Sequence, residues 1–96
     1  MKPNKHIIVL TPYEYSILNK NQLISAICKR YLETATIYEQ DNEEVVELSL
    51  TVAELEDLTG YVAAESNHAR TDRQREDLGA ICDYFEGCLS EIKRRK

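Results

Sequence analysis

The C-terminal segment carries one apolar seam. Leu78, Cys82, Phe85, Leu89 and Ile92 recur at steps of 4, 3, 4 and 3 residues. A turn of about 3.6 residues puts that series on one face of an α-helix, and Ile81 and Cys88 widen the stripe. The spacing predicts a helix of about 20 residues packed along its length on a partner. Thr71-Asp72-Arg73-Gln74 in front of it is a helix-start signal. Upstream, Thr51-Val52-Ala53-Glu54 is a capping box, followed by the stripe Leu55, Leu58 and Val62 with Val52 beside it. That segment predicts a second helix ending near His68. The short linker at Ala69-Arg70 makes the two helices antiparallel neighbours. Gly79 and Gly87 each cost the last helix about 1 kcal/mol. Close approach of a neighbouring backbone is the expected compensation.

The N-terminal half has a different rhythm. His6 to Leu10 (HIIVL) is a short apolar run that suits either an edge strand or a lead-in segment lying on the core. Thr11-Pro12-Tyr13-Glu14 opens a helix, with Thr11 as cap, Pro12 in the first turn and Glu14 closing the box. It is expected to run to about Leu18, where Asn19-Lys20-Asn21 interrupts. Leu23, Ile24, Ile27, Cys28 and Tyr31 then predict a helix of about ten residues. Residues 34–50 change period. Thr34, Thr36, Ile37 and Tyr38 favour a strand, Asp41-Asn42 is a turn signal, and Val45, Val46, Leu48 and Leu50 follow with Glu47 and Ser49 between them. TATIYEQ and EVVELSL read as a β-hairpin lying on the helices. The fold class is therefore α+β and mostly helical, with two short N-terminal helices, a β-hairpin and a C-terminal antiparallel helix pair. The 96 residues suit a single small domain with loose ends at 1–5 and 94–96.

Charge is unevenly placed. Residues 1–30 hold five bases and one acid, residues 31–69 hold ten acids and no Lys or Arg, and residues 70–96 hold seven bases and six acids. The net charge of −5 is the sum of a basic start, an acidic middle and a near-neutral end. The acidic middle repels phosphate and makes a poor nucleic-acid surface. It reads as a solvated face or as a docking face for a basic partner or a cation. No apolar run approaches the roughly 18 residues of a membrane span, and a cytoplasmic location is expected. Cys28, Cys82 and Cys88 show no C-x2-C spacing and suit free, mostly buried thiols in a reducing compartment. A zinc site would have to recruit His6 or His68.

Tyr61–His68 (YVAAESNH) is the most unusual stretch. On a helix, Glu65 borders the apolar face, with Tyr61 and His68 beside it and Ser66 turned into the apolar arc. Glu65-x-x-His68 has the i, i+3 spacing by which a carboxylate and an imidazole share a metal in helical-bundle di-iron sites. Such a site needs two such motifs and more carboxylates, so Glu65 and His68 could hold a metal only across a symmetric dimer, and no metal is favoured. The plainer account makes His68 and Asn67 part of the helix end, with Glu65 and Tyr61 bonded to Arg70 or Arg73. A third makes Tyr61, Glu65, Asn67 and His68 an interaction patch.

Catalysis has little to work with. There are two histidines, no glycine-rich phosphate loop and no G-x-S-x-G. The expectation is no enzyme, no catalytic residue and no cofactor. The tail Lys93-Arg94-Arg95-Lys96 complements a helix C-terminus and would add weak, salt-sensitive nucleic-acid contact at most.

Leu48 to Leu78 resembles a small uncharacterised helical domain of bacterial plasmid-borne open-reading-frame proteins. The resemblance rests on Leu50-Thr51, Leu55, Leu58, Gly60-Tyr61-Val62-Ala63-Ala64-Glu65, Asn67-His68 and the following basic helix. It extends to the capped helix at Thr11–Leu18. It implies a prokaryotic or mobile-element origin and transfers no catalytic residue. The reading that follows is a non-enzymatic interaction or regulatory module. It would dock another protein through the acidic face or the Tyr61/Glu65/His68 flank, or form a homodimer through a last helix whose stripe exceeds the cover one chain provides. The alternatives are metal binding by Glu65 and His68 across a dimer, and weak nucleic-acid association through the tail.

Overall fold

The computed structural model describes residues 4–95. The calls on residues 1–3 and on Lys96 lie outside them. The elements in chain order are β1 (His6–Leu10), α1 (Pro12–Lys20), α2 (Gln22–Ile27), α3 (Lys29–Leu32), β2 (Thr36–Gln40), β3 (Glu43–Leu50), α4 (Val52–Asn67) and α5 (Asp72–Arg94).

The HIIVL run is a strand. β1 pairs antiparallel with β3, which pairs antiparallel with β2, giving a three-stranded sheet in the order β1-β3-β2. The hairpin read from sequence is thus two-thirds of the sheet. Period-2 alternation sets the register: Ile8 faces Leu48, and Leu10 faces Val46. These side chains, with Leu50, are at most 2% exposed and form the sheet's inner face. Shifting β1 by one residue would bury Ile7 and Val9 and expose Ile8 and Leu10.

The α4–α5 pair packs on that inner core. Both capping boxes are made. Glu14 N–H donates to Thr11 Oγ1 and Thr11 N–H to Glu14 Oε1, and Glu54 and Thr51 repeat the exchange. Thr71 caps α5 by accepting from Gln74 N–H at 3.1 Å. The antiparallel arrangement is visible at both ends of the pair. Ser66 Oγ donates to Arg75 C=O at 3.2 Å near the connection, and Lys93 Nζ reaches Glu56 Oε2 at 3.3 Å at the far end.

Four details depart from the sequence reading. The ten-residue helix is two pieces, α2 and α3, broken at Cys28 with φ −101° and ψ 19°. Cys28 at the break and Tyr31 beyond it are both in the core, at 0% and 3% exposure. The last helix is 23 residues long and holds through Arg94, which the sequence placed in a loose end. Much of its stripe is covered within the chain, since Leu78, Ile81 and Phe85 are at most 1% exposed, while Cys88 and Leu89 stay half-buried. The sheet and the N-terminal helices supply the cover that the helix pair alone would lack. The close backbone approach expected at the two glycines is found at neither. A Cβ on Gly79 would lie 3.5 Å from Ser66 Oγ, whereas one on Gly87 would meet nothing within 4 Å.

Candidate functional site

The α4 flank is tied into the fold. Tyr61 is half-buried against the core. Glu65 is also half-buried, and its Oε1 accepts from Asn21 Nδ2 at 3.0 Å. Asn21 is 8% exposed and uses its Oδ1 to cap α2, accepting from Ile24 N–H at 2.9 Å. The expected bonds from Glu65 to Arg70 or Arg73 are replaced by this link. The Arg70 backbone N–H donates to Gln74 Oε1 at 3.4 Å, and Arg73 sits against Tyr13, whose hydroxyl donates to Asp77 at 2.7 Å. Asn67 is the last residue of α4 and His68 its C-cap, with His68 N–H donating to Ala64 C=O at 3.1 Å. Both side chains are exposed. So the helix brings the four residues to one end, but Glu65 turns inward to Asn21 while Asn67 and His68 face solvent. Asn21 is the partner that sequence reading missed. It sits 44 residues away, where no local pattern points.

The described residues hold no group of three or more His, Cys, Asp and Glu able to hold a metal ion. Burial pushes the Cys28 thiol up to about 11, with Asp57 adding to the effect. Burial also raises Cys82, and the Glu86 carboxylate adds to that. A thiol kept protonated is a poor nucleophile. His6 and Cys88 line one cavity of about 320 Å³ together with Glu91 and Arg95. No hydrogen bond joins them among the described residues. Two of the tail bases are held by one acid: Arg94 and Arg95 pair with Glu91 at 4.0 and 3.9 Å.

The acidic middle divides into acids with work and acids without. Glu54 caps α4, and Glu65 holds Asn21. Asp57 Oδ2 accepts from the buried Tyr31 hydroxyl at 2.8 Å, and Glu47 Oε2 from Tyr38 at 2.6 Å. Glu56 pairs with Lys93, and Glu33 with Lys29 at 3.8 Å. The other four of the ten are Glu39, Asp41, Glu43 and Glu44. They sit on the β2–β3 hairpin, are exposed, and have no ion pair or side-chain hydrogen bond among the described residues. The hairpin turns at Asp41 and Asn42, with φ of 51° and 66°, the paired positive values of a type I′ turn. Among the described residues, β3 is the only strand that pairs with β2. Four of the five β2 residues are exposed, and Ile37 is 55% exposed although it lies opposite the buried Val46. An exposed branched apolar residue beside four free carboxylates is therefore a property of the hairpin's shape. The sequence signal for it was the Asp-Asn turn inside a run of acids.

No helix among the described residues is long and apolar enough to cross a membrane. No family model, no curated protein and no solved structure matches the chain.

Proposed function

We propose that this chain is a non-enzymatic interaction module that docks a basic protein partner on the acidic β2–β3 hairpin. The observation that carries the reading is the concentration of uncommitted charge there. Six acids of the acidic segment have partners in the fold, while the carboxylates of Glu39, Asp41, Glu43 and Glu44 have no ion pair or hydrogen bond among the described residues. Four like charges within six residues repel one another, and a cationic partner relieves that repulsion. The buried, protonated Cys28 and Cys82 support a non-enzymatic role. The cytoplasmic location expected from the free thiols and the bacterial setting implied by the resemblance belong to the same reading.

The test compares two variants with the same charge change. One is Glu39→Gln/Glu43→Gln/Glu44→Gln. The other is Glu76→Gln/Asp83→Asn/Glu86→Gln, on exposed positions of α5. Affinity for a lysine-rich peptide is measured from low to physiological salt. The hairpin variant is expected to lose most of the binding and its salt dependence, and the α5 variant to keep both. Equal losses from the two would reduce the effect to net charge and overturn the proposal.

A further inference from the structure

An edge strand presents unpaired backbone donors and acceptors, and folded proteins usually cover or disrupt them. The two edges of this sheet are treated differently. At the β1 edge the Tyr84 hydroxyl donates to Val9 C=O at 2.6 Å. There α5 flanks the strand, so that Cys88, Glu91 and Ile92 share a cavity with His6, Ile7 and Ile8. At the β2 edge no strand pairs with the outer side among the described residues. Among the described residues, α5 engages one edge through Tyr84, and no strand pairs with the other.

The register identifies the free groups. The two-residue turn closes on the pair Gln40 and Glu43. In such a hairpin the closing pair is hydrogen-bonded and the pairs then alternate. Thr36, Tyr38 and Gln40 thus bond to β3, and the N–H and C=O groups of Ile37 and Glu39 point to the open side. Side chains alternate too. Ile37 and Glu39 share a face with Val46 and Glu44, while Tyr38 and Gln40 share the other with Val45 and Glu43. Each face runs from an apolar patch to an acid beside the turn.

Resting on the docking reading above, we propose that the partner contributes an extended basic segment that adds to β2 as a fourth strand. Its main chain bonds to Ile37 and Glu39. Its Lys or Arg side chains lie beside the turn, against Glu39, Glu43 and Glu44, and its β-branched side chains lie against Ile37 and Tyr38. Strand addition draws affinity from the backbone and selectivity from alternate side chains. Charge decides against a second copy as the occupant. A second copy paired antiparallel through Ile37 and Glu39 would set each Glu39 opposite the copy's Ile37 and leave all eight hairpin carboxylates without a cation.

The probe is the peptide Lys-Lys-Lys-Val-Val-Thr with both ends blocked, and the readout is amide hydrogen exchange by NMR. At ten times the Kd, exchange at Ile37 and Glu39 is expected to slow by about tenfold, with Tyr38 unchanged. Binding that the hairpin variant abolishes, with Ile37 and Glu39 still exchanging freely, would overturn strand addition and leave acidic docking standing. Absence of any salt-sensitive binding would overturn the docking reading itself. Protection of both amides in the free protein, with a dimeric mass by light scattering, would assign the edge to a second copy and overturn a basic partner.

Discussion

Asn21 Nδ2 donates to Glu65 Oε1 at 3.0 Å, joining the start of α2 to the last turns of α4. One side chain does two jobs, because Asn21 Oδ1 also holds Ile24 N–H. Asn21→Ala removes a cap and leaves a half-buried carboxylate without its donor. Such losses cost about 1–3 kcal/mol together. Glu65→Ala is expected to cost less, since the cap survives. His68→Ala, on an exposed side chain, should stay within about 0.5 kcal/mol of the parent. Urea denaturation of the two single variants and the Asn21/Glu65 double variant gives the coupling directly. Additive losses would show that the two residues act independently.

The reach of sequence reading follows the range of the interaction. Thr11 with Glu14 and Thr51 with Glu54 are three residues apart, so both capping boxes could be read and both are made. The seam from Leu78 to Ile92 is likewise local. The pairing of Ile8 with Leu48 spans 40 residues, so HIIVL alone suits a strand or a lead-in segment equally. The break at Cys28 has no local cause either. Nothing in Ile24–Tyr31 interrupts a helical period, and Tyr31 beyond the break is buried with its hydroxyl bonded to Asp57. At the site, the acidic run was plain, but its division into employed and free carboxylates depended on partners distant in sequence.

Gly87 offers a direct gain. It lies inside α5, it is exposed, and a Cβ there meets nothing within 4 Å. Gly87→Ala should stabilise by about 0.5–1 kcal/mol through helix propensity and a less flexible unfolded chain. In a domain of this size that raises Tm by roughly 2–8 °C, readable by circular dichroism. Gly79→Ala should gain no more than this, because its Cβ would rest at 3.5 Å from Ser66 Oγ, whose bond to Arg75 C=O has to be kept.

Cys28 makes stability depend on alkaline pH. Its thiol has an ordinary value of 9.0 and is pushed up to about 11 by burial, with Asp57 adding to the rise. The unfolded chain therefore ionises first. Stability from this group is complete below about pH 9 and is lost as pH rises from about 9 through about 11. Urea midpoints at pH 8, 10 and 11 should fall in that order. Cys28→Ala should start lower, because a fully buried side chain is truncated, but should show a shallower decline. Thiol labelling offers a second reading. Cys28 should react only on unfolding, and a fast native reaction at that site would contradict its burial.

The turn at Asp41-Asn42 links stability to docking. Asn42 has φ of 66°, in the left-handed region that costs a residue with an ordinary Cβ about 1–2 kcal/mol and costs glycine or asparagine much less. Asn42→Gly should be neutral or slightly stabilising, since a type I′ turn favours glycine there. Asn42→Ala should cost about 1 kcal/mol by urea denaturation. Neither change alters the charge of the hairpin. If Glu39, Glu43 and Glu44 bind as a preformed ridge, the glycine variant keeps the parent's affinity for the lysine-rich peptide. The alanine variant should then weaken binding in proportion to the loosening of β2 from β3, followed as faster exchange of the Tyr38 amide. Unchanged affinity in an alanine variant with a frayed Tyr38 amide would mean that the acids bind as independent charges, without help from the strand that presents them.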